Sequence, residues 1–273
     1  MQATRILPPC PASAEHRRIR WLTTVSKSER LRVVLVATRN PLNLGAAARA
    51  MSNFGFLHLR VVNPYQVAFR EARSAVGASS LLQNAEQYQT IADAVADCSL
   101  VVGTSAVRNR EVQHRLYPLQ EGARLIRRRL EARRVALLFG SEKVGLSNEA
   151  LSHCHWLLRI PTREQHPSMN LGQAVAVCLY ELARTSKTTA RPAEGESASA
   201  QDLERFTGDL LEALRTSGYL KGAGLAGDAK VRRLVRRLAL QAEDADVWLG
   251  MLRQILWKLR SSDRITGEAN LRR

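Results

Sequence analysis

Two short apolar runs constrain the fold more than anything else in the chain. Val135–Phe139 is halted by Gly140, and Trp156–Ile160 is halted by Pro161. Apolar runs of this length that stop at Gly or Pro read as buried strands. A third run, Leu31–Thr38, is rich in Val and suits a parallel strand covered on both faces. Runs of this kind alternating with helix-period stretches predict an α/β domain with a mostly parallel sheet. In such sheets the polar residues that follow each strand gather at the carboxyl ends, where ligands bind.

The stretches between the runs fill in the pattern. Asn40, Pro41 and Asn43 make a turn after the first strand. Gly45–Phe54 reads as a helix of small residues with Gly55 as its C-terminal cap. Leu57–Val62 is the next strand, residues 63–84 are irregular, and 86–97 read as helix. Leu100–Val102 is a strand ending at Gly103, Thr104, Ser105 and Ala106, followed by a basic loop from Arg108 to His114. Leu119–Arg133 carries Leu119, Ala123, Ile126 and Leu130 on one helical face, and Leu171–Arg184 closes the domain as a helix. The domain is thus expected over residues 30–186. A basic leader precedes it at 1–29. A linker rich in Ser, Thr, Ala and Glu follows at 187–201. The remainder, 202–273, keeps three helical stripes: Leu203, Phe206, Leu210 and Leu214; Val231, Leu234, Val235 and Leu238; and Val247, Met251, Ile255 and Leu259. These predict a small helical extension.

Charge narrows the partner. The chain has 41 Lys and Arg against 25 Asp and Glu, a formal net charge of +16. That excess implies a polyanion, and nucleic acid first. Candidate RNA contacts are Arg39, Arg108 and Arg110 in the domain, and Arg232, Arg233, Arg236 and Arg237 along the second stripe of the extension. Cys10, Cys98, Cys154 and Cys178 lack the spacing of a zinc site or a disulfide framework, which fits a reducing cytoplasm and no metal. His153, His155 and His166 have no accompanying ligands either. No run reaches the roughly 18 apolar residues of a membrane span. There is no G-x-G-x-x-G after the first strand and no Walker A sequence, which disfavours a dinucleotide or nucleoside triphosphate site.

Four clusters could carry chemistry, one of them Gly103-Thr104-Ser105-Ala106, which fits an ordinary turn equally well. In Asn40-x-x-Asn43-x-Gly45-x-x-x-Arg49, the Gly and Arg share a helical face, so a backbone or ligand can approach closely beside a cation. A tightly packed helix with an exposed Arg fits the same residues. In Gly140-x-Glu142-x-x-Gly145-Leu146, a carboxylate stands beside a sharp turn, and it serves equally as a charge for the start of the next helix. In Ser168-Met169-Asn170-Leu171, both polar side chains suit a helix N-cap.

Together with Ile160-Pro161, these clusters resemble the motifs of the SPOUT methyltransferases, in the SpoU (TrmH) branch, across about residues 31–185. The extension is similar to that of the TrmJ-type tRNA methyltransferases of that branch. The segment after Gly103 departs from the pattern, with Val107 where an Arg is common. The resemblance implies a deep trefoil knot in the C-terminal half of the domain, an obligate homodimer, and S-adenosyl-L-methionine as cofactor without metal. It implies 2′-O-ribose methylation of RNA: tRNA at anticodon-loop nucleotide 32 first, ribosomal RNA second, or a catalytically silent RNA-binding protein on the same scaffold. It assigns the catalytic centre to Asn43, Arg49, Glu142, Ser168 and Asn170. The cofactor then lies against Thr104, Ser105, Ala106, Gly140, Glu142, Ile160, Ser168, Met169, Asn170 and Leu171.

Overall fold

The computed structural model describes residues 27–74, 80–106, 114–184, 197–220 and 224–270. Arg108, Arg110, the leader up to position 26 and most of the expected linker lie outside these residues. The described chain forms one seven-stranded sheet in the order β3-β2-β1-β6-β4-β7-β5. Its strands are β1 (Leu31–Val36), β2 (Leu59–Val62), β3 (Glu86–Tyr88), β4 (Leu100–Thr104), β5 (Leu116–Pro118), β6 (Val135–Phe139) and β7 (Trp156–Arg159). Every pairing is parallel.

Helices cover both faces. They are α1 (Pro41–Asn53), α2 (Gln66–Ser74), α3 (Ser80–Gln83), α4 (Ile91–Val95), α5 (Leu119–Arg129), α6 (Asn148–Ser152) and α7 (Leu171–Ala183). Side chains alternate across β1. Leu31, Val33 and Leu35 join Leu44 and Met51 of α1, Ile126 of α5 and Val175 of α7 in one core. Val34 joins Ala94 of α4 and Leu151 of α6 in the other. A strand buried on both sides is why the sequence here is a continuous apolar run rather than an alternating one.

The structure corrects the expected elements in three places. Asn40 accepts a hydrogen bond from the Leu42 N–H at 2.9 Å and caps α1, with Pro41 in its first turn. Asn43 therefore stands in the first turn of the helix and not in a loop. Glu86–Tyr88, expected as helix, is an edge strand beside β2. Its helix starts only at Ile91, where the Thr90 hydroxyl accepts from the Asp93 N–H. Residues expected to be irregular contain α2 and α3, and β5 was not expected at all. Within this chain a Cβ at Gly45 meets nothing within 4 Å, and the tight contact of α1 with α7 is made one residue on, where a Cβ at Gly172 would stand 2.6 Å from the Cβ of Ala46.

The extension contains α8 (Ala200–Thr216), α9 (Gly224–Arg237) and α10 (Ala242–Asn270), which share a core of Leu203, Phe206, Val235, Leu249 and Leu252. Ala200 and Gln201, expected in the linker, begin α8. A capping box of Ser199 and Asp202 closes the start of that helix. The Ala200 N–H donates to Cys98 O at 2.8 Å, the Gln201 N–H donates to Ala96 O at 3.1 Å, and Ala200 is buried in the second core of the sheet. The extension is thereby sewn onto the α4 and α6 face of the domain.

Candidate active site

The carboxyl ends of β4, β6 and β7 open on a cavity of about 240 Å³. β4 contributes Thr104, Ser105 and Ala106, and the Thr104 hydroxyl donates to Leu138 O of β6 at 2.9 Å. β6 ends at Phe139, and the chain doubles back at once. The Gly145 N–H donates to Ser141 O at 2.8 Å, and Gly145 takes φ +67°. A Cβ on Gly140 would stand 2.0 Å from the Gly145 carbonyl carbon, so only glycine fits at 140. This hairpin presents Glu142, Lys143 and Val144 at the cavity mouth. β7 contributes Ile160, and the loop after it is pinned by the Thr162 hydroxyl donating to Pro167 O at 3.2 Å. Ser168, Met169 and Leu171 complete the wall.

Nine of the ten residues expected around a cofactor therefore line this cavity, and Asn170 is the tenth. The Asn170 Oδ1 accepts from the N–H groups of Gly172 at 2.9 Å and Gln173 at 3.4 Å, capping α7. Its Nδ2 donates to Asn43 Oδ1 at 2.9 Å. The Asn43 Nδ2 donates in turn to Glu142 Oε1 at 2.9 Å, and the other Glu142 oxygen accepts from the Arg39 N–H at 3.4 Å. Three motifs separated by up to 127 positions thus meet in one relay, Asn170 to Asn43 to Glu142.

This places the polar side chains of the second and third clusters. Asn170 is cap and relay member together, and Ser168 faces the cavity rather than capping. Glu142 is not the charge that starts α6. Ser147 caps that helix by accepting from the Ala150 N–H at 3.1 Å, and Glu149 supplies its first-turn carboxylate. Sequence reasoning did not single out Leu151 and Leu158, which form apolar wall, or Lys143 on the rim. The short Gly140-to-Gly145 interval was the available signal for the rim.

Arg49 does not line the cavity. It is exposed on α1, seven positions after Leu42 and so on the same helical face, and Leu42 is 78% exposed. The expected RNA-facing arginines of the extension divide. Arg237 is exposed and Arg233 half-buried, but Arg236 is only 1% exposed. Its guanidinium donates to Ala200 O at 3.3 Å and Glu204 Oε2 at 3.1 Å. Arg232 donates to Glu204 Oε1 at 3.2 Å. Arg236 is therefore packed inside the protein, because Glu204 of α8 draws it there, and it does not present a charge to a phosphate.

The surroundings of His153 and His155 follow from the same packing. Burial, then the charges of Arg232 and Arg236, push His153 down to about 3. Burial chiefly takes His155 to about 3 as well, and its Nδ1 accepts from the Val101 N–H at 3.1 Å. Among the described residues no group of three His, Cys, Asp or Glu is arranged to hold a metal ion, and no helix is long and apolar enough to cross a membrane.

The chain is similar to known proteins over the same span. Residues 30–180 match the model of the SpoU rRNA Methylase family. The tRNA (cytidine/uridine-2′-O-)-methyltransferase TrmJ of Sodalis glossinidius is 37% identical over 233 residues, covering 82% of this chain and 91% of that protein. Its counterpart in Citrobacter koseri is 35% identical, covering 83% and 96%. The crystal structure of TrmJ from Z. mobilis ZM4 superposes with a TM-score of 0.72 at 28% identity, covering 82% of this chain and 98% of that one. A probable methylase family protein from Haemophilus influenzae Rd KW20 superposes with a TM-score of 0.53 at 29% identity, covering 86% and 99%. With its motifs gathered at one cavity and its sequence matched along the whole domain, the chain belongs to the SpoU rRNA Methylase family of RNA methyltransferases.

Proposed function

We propose that this protein transfers a methyl group from S-adenosyl-L-methionine to the ribose 2′-oxygen of cytidine or uridine in tRNA, at nucleotide 32 of the anticodon loop. The observation that carries this reading is the Asn170–Asn43–Glu142 relay at the mouth of the strand-end cavity. The similarity to TrmJ proteins extends beyond the domain into the helical extension, which favours tRNA over ribosomal RNA.

The cavity's donor set suits the cofactor. Leu146, Leu151, Leu158 and Ile160 offer apolar surface for an adenine ring, Ser105 and Ser168 bring hydroxyls toward a ribose or a carboxylate, and Thr104, whose proton goes to Leu138 O, can accept from a ribose hydroxyl. When bound, the cofactor supplies a methyl group already activated by its positively charged sulfur. The chain's own contribution is placement and charge. The relay fixes Glu142 at the mouth. Holding the ribose oxygen within about 3 Å of the methyl supplies much of the acceleration. An arginine side chain is a poor base because its guanidinium keeps its proton throughout the physiological range. Arg49 therefore holds a phosphate and the developing alkoxide rather than abstracting the proton, which leaves the 2′-hydroxyl for solvent water.

Arg49 reaches a cavity once a second copy covers the bare Leu42 face of α1, so the active form in this reading is a homodimer with its sites at the interface. The reading also includes the deep trefoil knot of the family in the C-terminal half of the domain. The deciding experiment incubates the protein and S-adenosyl-L-methionine with unmodified tRNA transcript and, in parallel, with unmodified ribosomal RNA, then maps 2′-O-methyl marks by mass spectrometry. A mark at nucleotide 32 is expected. Methylation of ribosomal RNA with none on tRNA would sink the substrate assignment.

A further inference from the structure

The extension and the cavity touch the same short helix from opposite directions. α6 has five residues, an axial length of about 7.5 Å. Its Leu151 lines the cavity, and Leu146 just before it lines the cavity as well. The next residue, Ser152, is fully buried, and its hydroxyl accepts from Arg232 Nη1 at 3.2 Å while donating to Glu149 O at 2.6 Å. One peptide unit thus separates a side chain facing the cavity from a side chain held by the extension.

Arg232 is itself held. Its Nε donates to Glu204 Oε1 at 3.2 Å, and the second oxygen of that carboxylate accepts from Arg236 Nη2 at 3.1 Å. Arg236 is anchored on Ala200 O at 3.3 Å, at the point where α8 is stitched to the domain. His153, the C-cap of α6, has its Nδ1 3.7 Å from Glu204 Oε2. A single-turn helix has little stability of its own, because nucleation costs more than one turn returns. What fixes α6 is its surroundings, and this clasp joins the Ser147 cap and the His114 hydrogen bond to the Leu151 backbone as the polar part of them.

We propose that Arg232 is a positioning residue for the cofactor cavity, acting through Ser152 to hold α6 where Leu146 and Leu151 form its wall. The extension is then part of the cofactor site at one remove, although none of its residues lines the cavity. This inference rests on the proposed function only for the identity of the ligand.

The experiment uses the full chain in two measurements. Calorimetric titration of S-adenosyl-L-methionine compares wild type with Arg232→Ala, Ser152→Ala and Arg253→Ala, the last being an exposed extension arginine on α10 away from α6. The cofactor dissociation constant is expected to rise roughly 5-fold or more in the first two, the lower end of ordinary coupling between sites, and to stay unchanged in the third. Arg232→Lys should restore little, since an ammonium cannot bridge Ser152 and Glu204 as the planar fork does. Amide hydrogen exchange, which needs no ligand, is expected to speed up across residues 147–153 in Arg232→Ala, with β6 still protected. Unchanged cofactor affinity in Arg232→Ala and Ser152→Ala, with wild type binding the cofactor, would overturn the proposal whatever the α6 exchange shows. Wild-type protein that binds no cofactor, with α6 exchange still faster in Arg232→Ala, upholds the clasp and overturns the functional reading instead.

Discussion

At the scale of single residues the site is a matter of which amide faces which oxygen. Asn43 uses both ends of its side chain, accepting from Asn170 and donating to Glu142. An Asp there still accepts but has nothing to donate, and it sets a second negative charge against Glu142. Asn43→Asp should therefore methylate tRNA more slowly than Asn43→Ala in single-turnover assays at neutral pH. A wild-type rate for Asn43→Asp would mean that the relay has no part in turnover. For Arg49→Ala the expected loss is 100-fold or more, on the scale of removing one preorganised charge-stabilising donor. Because Arg49 does not line the cavity of its own chain and in the proposed dimer holds the RNA phosphate and ribose rather than the cofactor, cofactor titration of the same variant should match wild type. The sequence spacing pointed to these residues, and the resemblance grouped them. It did not show that Glu142 faces α1, because that depends on Ser147 and Glu149 having already satisfied the start of α6.

At the scale of elements, what was legible depended on how far an element's fate is set within itself. β1, β4, β6 and β7 were readable because each is an apolar run ended by a chain-breaking or polar turn. β3 and β5 have three residues each, and their pairing is decided by β2 and β7, distant in sequence. The arginines of α9 show the same limit. Positions 232, 233, 236 and 237 look equivalent along the stripe, and only Glu204, on another helix, draws 232 into an ion pair and 236 into the interior. The two kinds should respond differently to charge reversal. Arg237→Glu should weaken tRNA binding and reduce the slope of log affinity against log salt by about one, the signature of one lost phosphate contact. Arg236→Glu should instead lower the thermal unfolding midpoint, since it buries a carboxylate against Glu204. Filter binding at several salt concentrations and thermal melts of both variants separate the outcomes.

At the scale of the molecule, the junction between domain and extension makes stability depend on acidity. His153 and His155 are held down to about 3, against about 6.5 for an unperturbed histidine. Below pH 6.5 the unfolded chain takes up protons that the folded chain refuses, so stability falls as pH drops from 6.5 toward 3. Asp97 works in a lower window. Burial raises its pKa, but its hydrogen bonds and charge contact with Arg60 prevail and hold it down to about 2, so its contribution is lost only as pH falls below about 4. Calorimetric unfolding should show a lower midpoint at pH 5 than at pH 7.5, and His153→Gln should flatten part of that difference. The order of the sheet has a further consequence, for biosynthesis. β1 is central, yet its neighbour β6 is encoded about a hundred positions later, with Leu31 opposite Val135. At about 5–20 residues per second, a ribosome needs on the order of 5 to 20 s to deliver that partner. During that interval the nascent chain holds a Val-rich strand with one edge and both faces incompletely covered, the circumstance in which a chaperone at the exit tunnel protects a chain from aggregation.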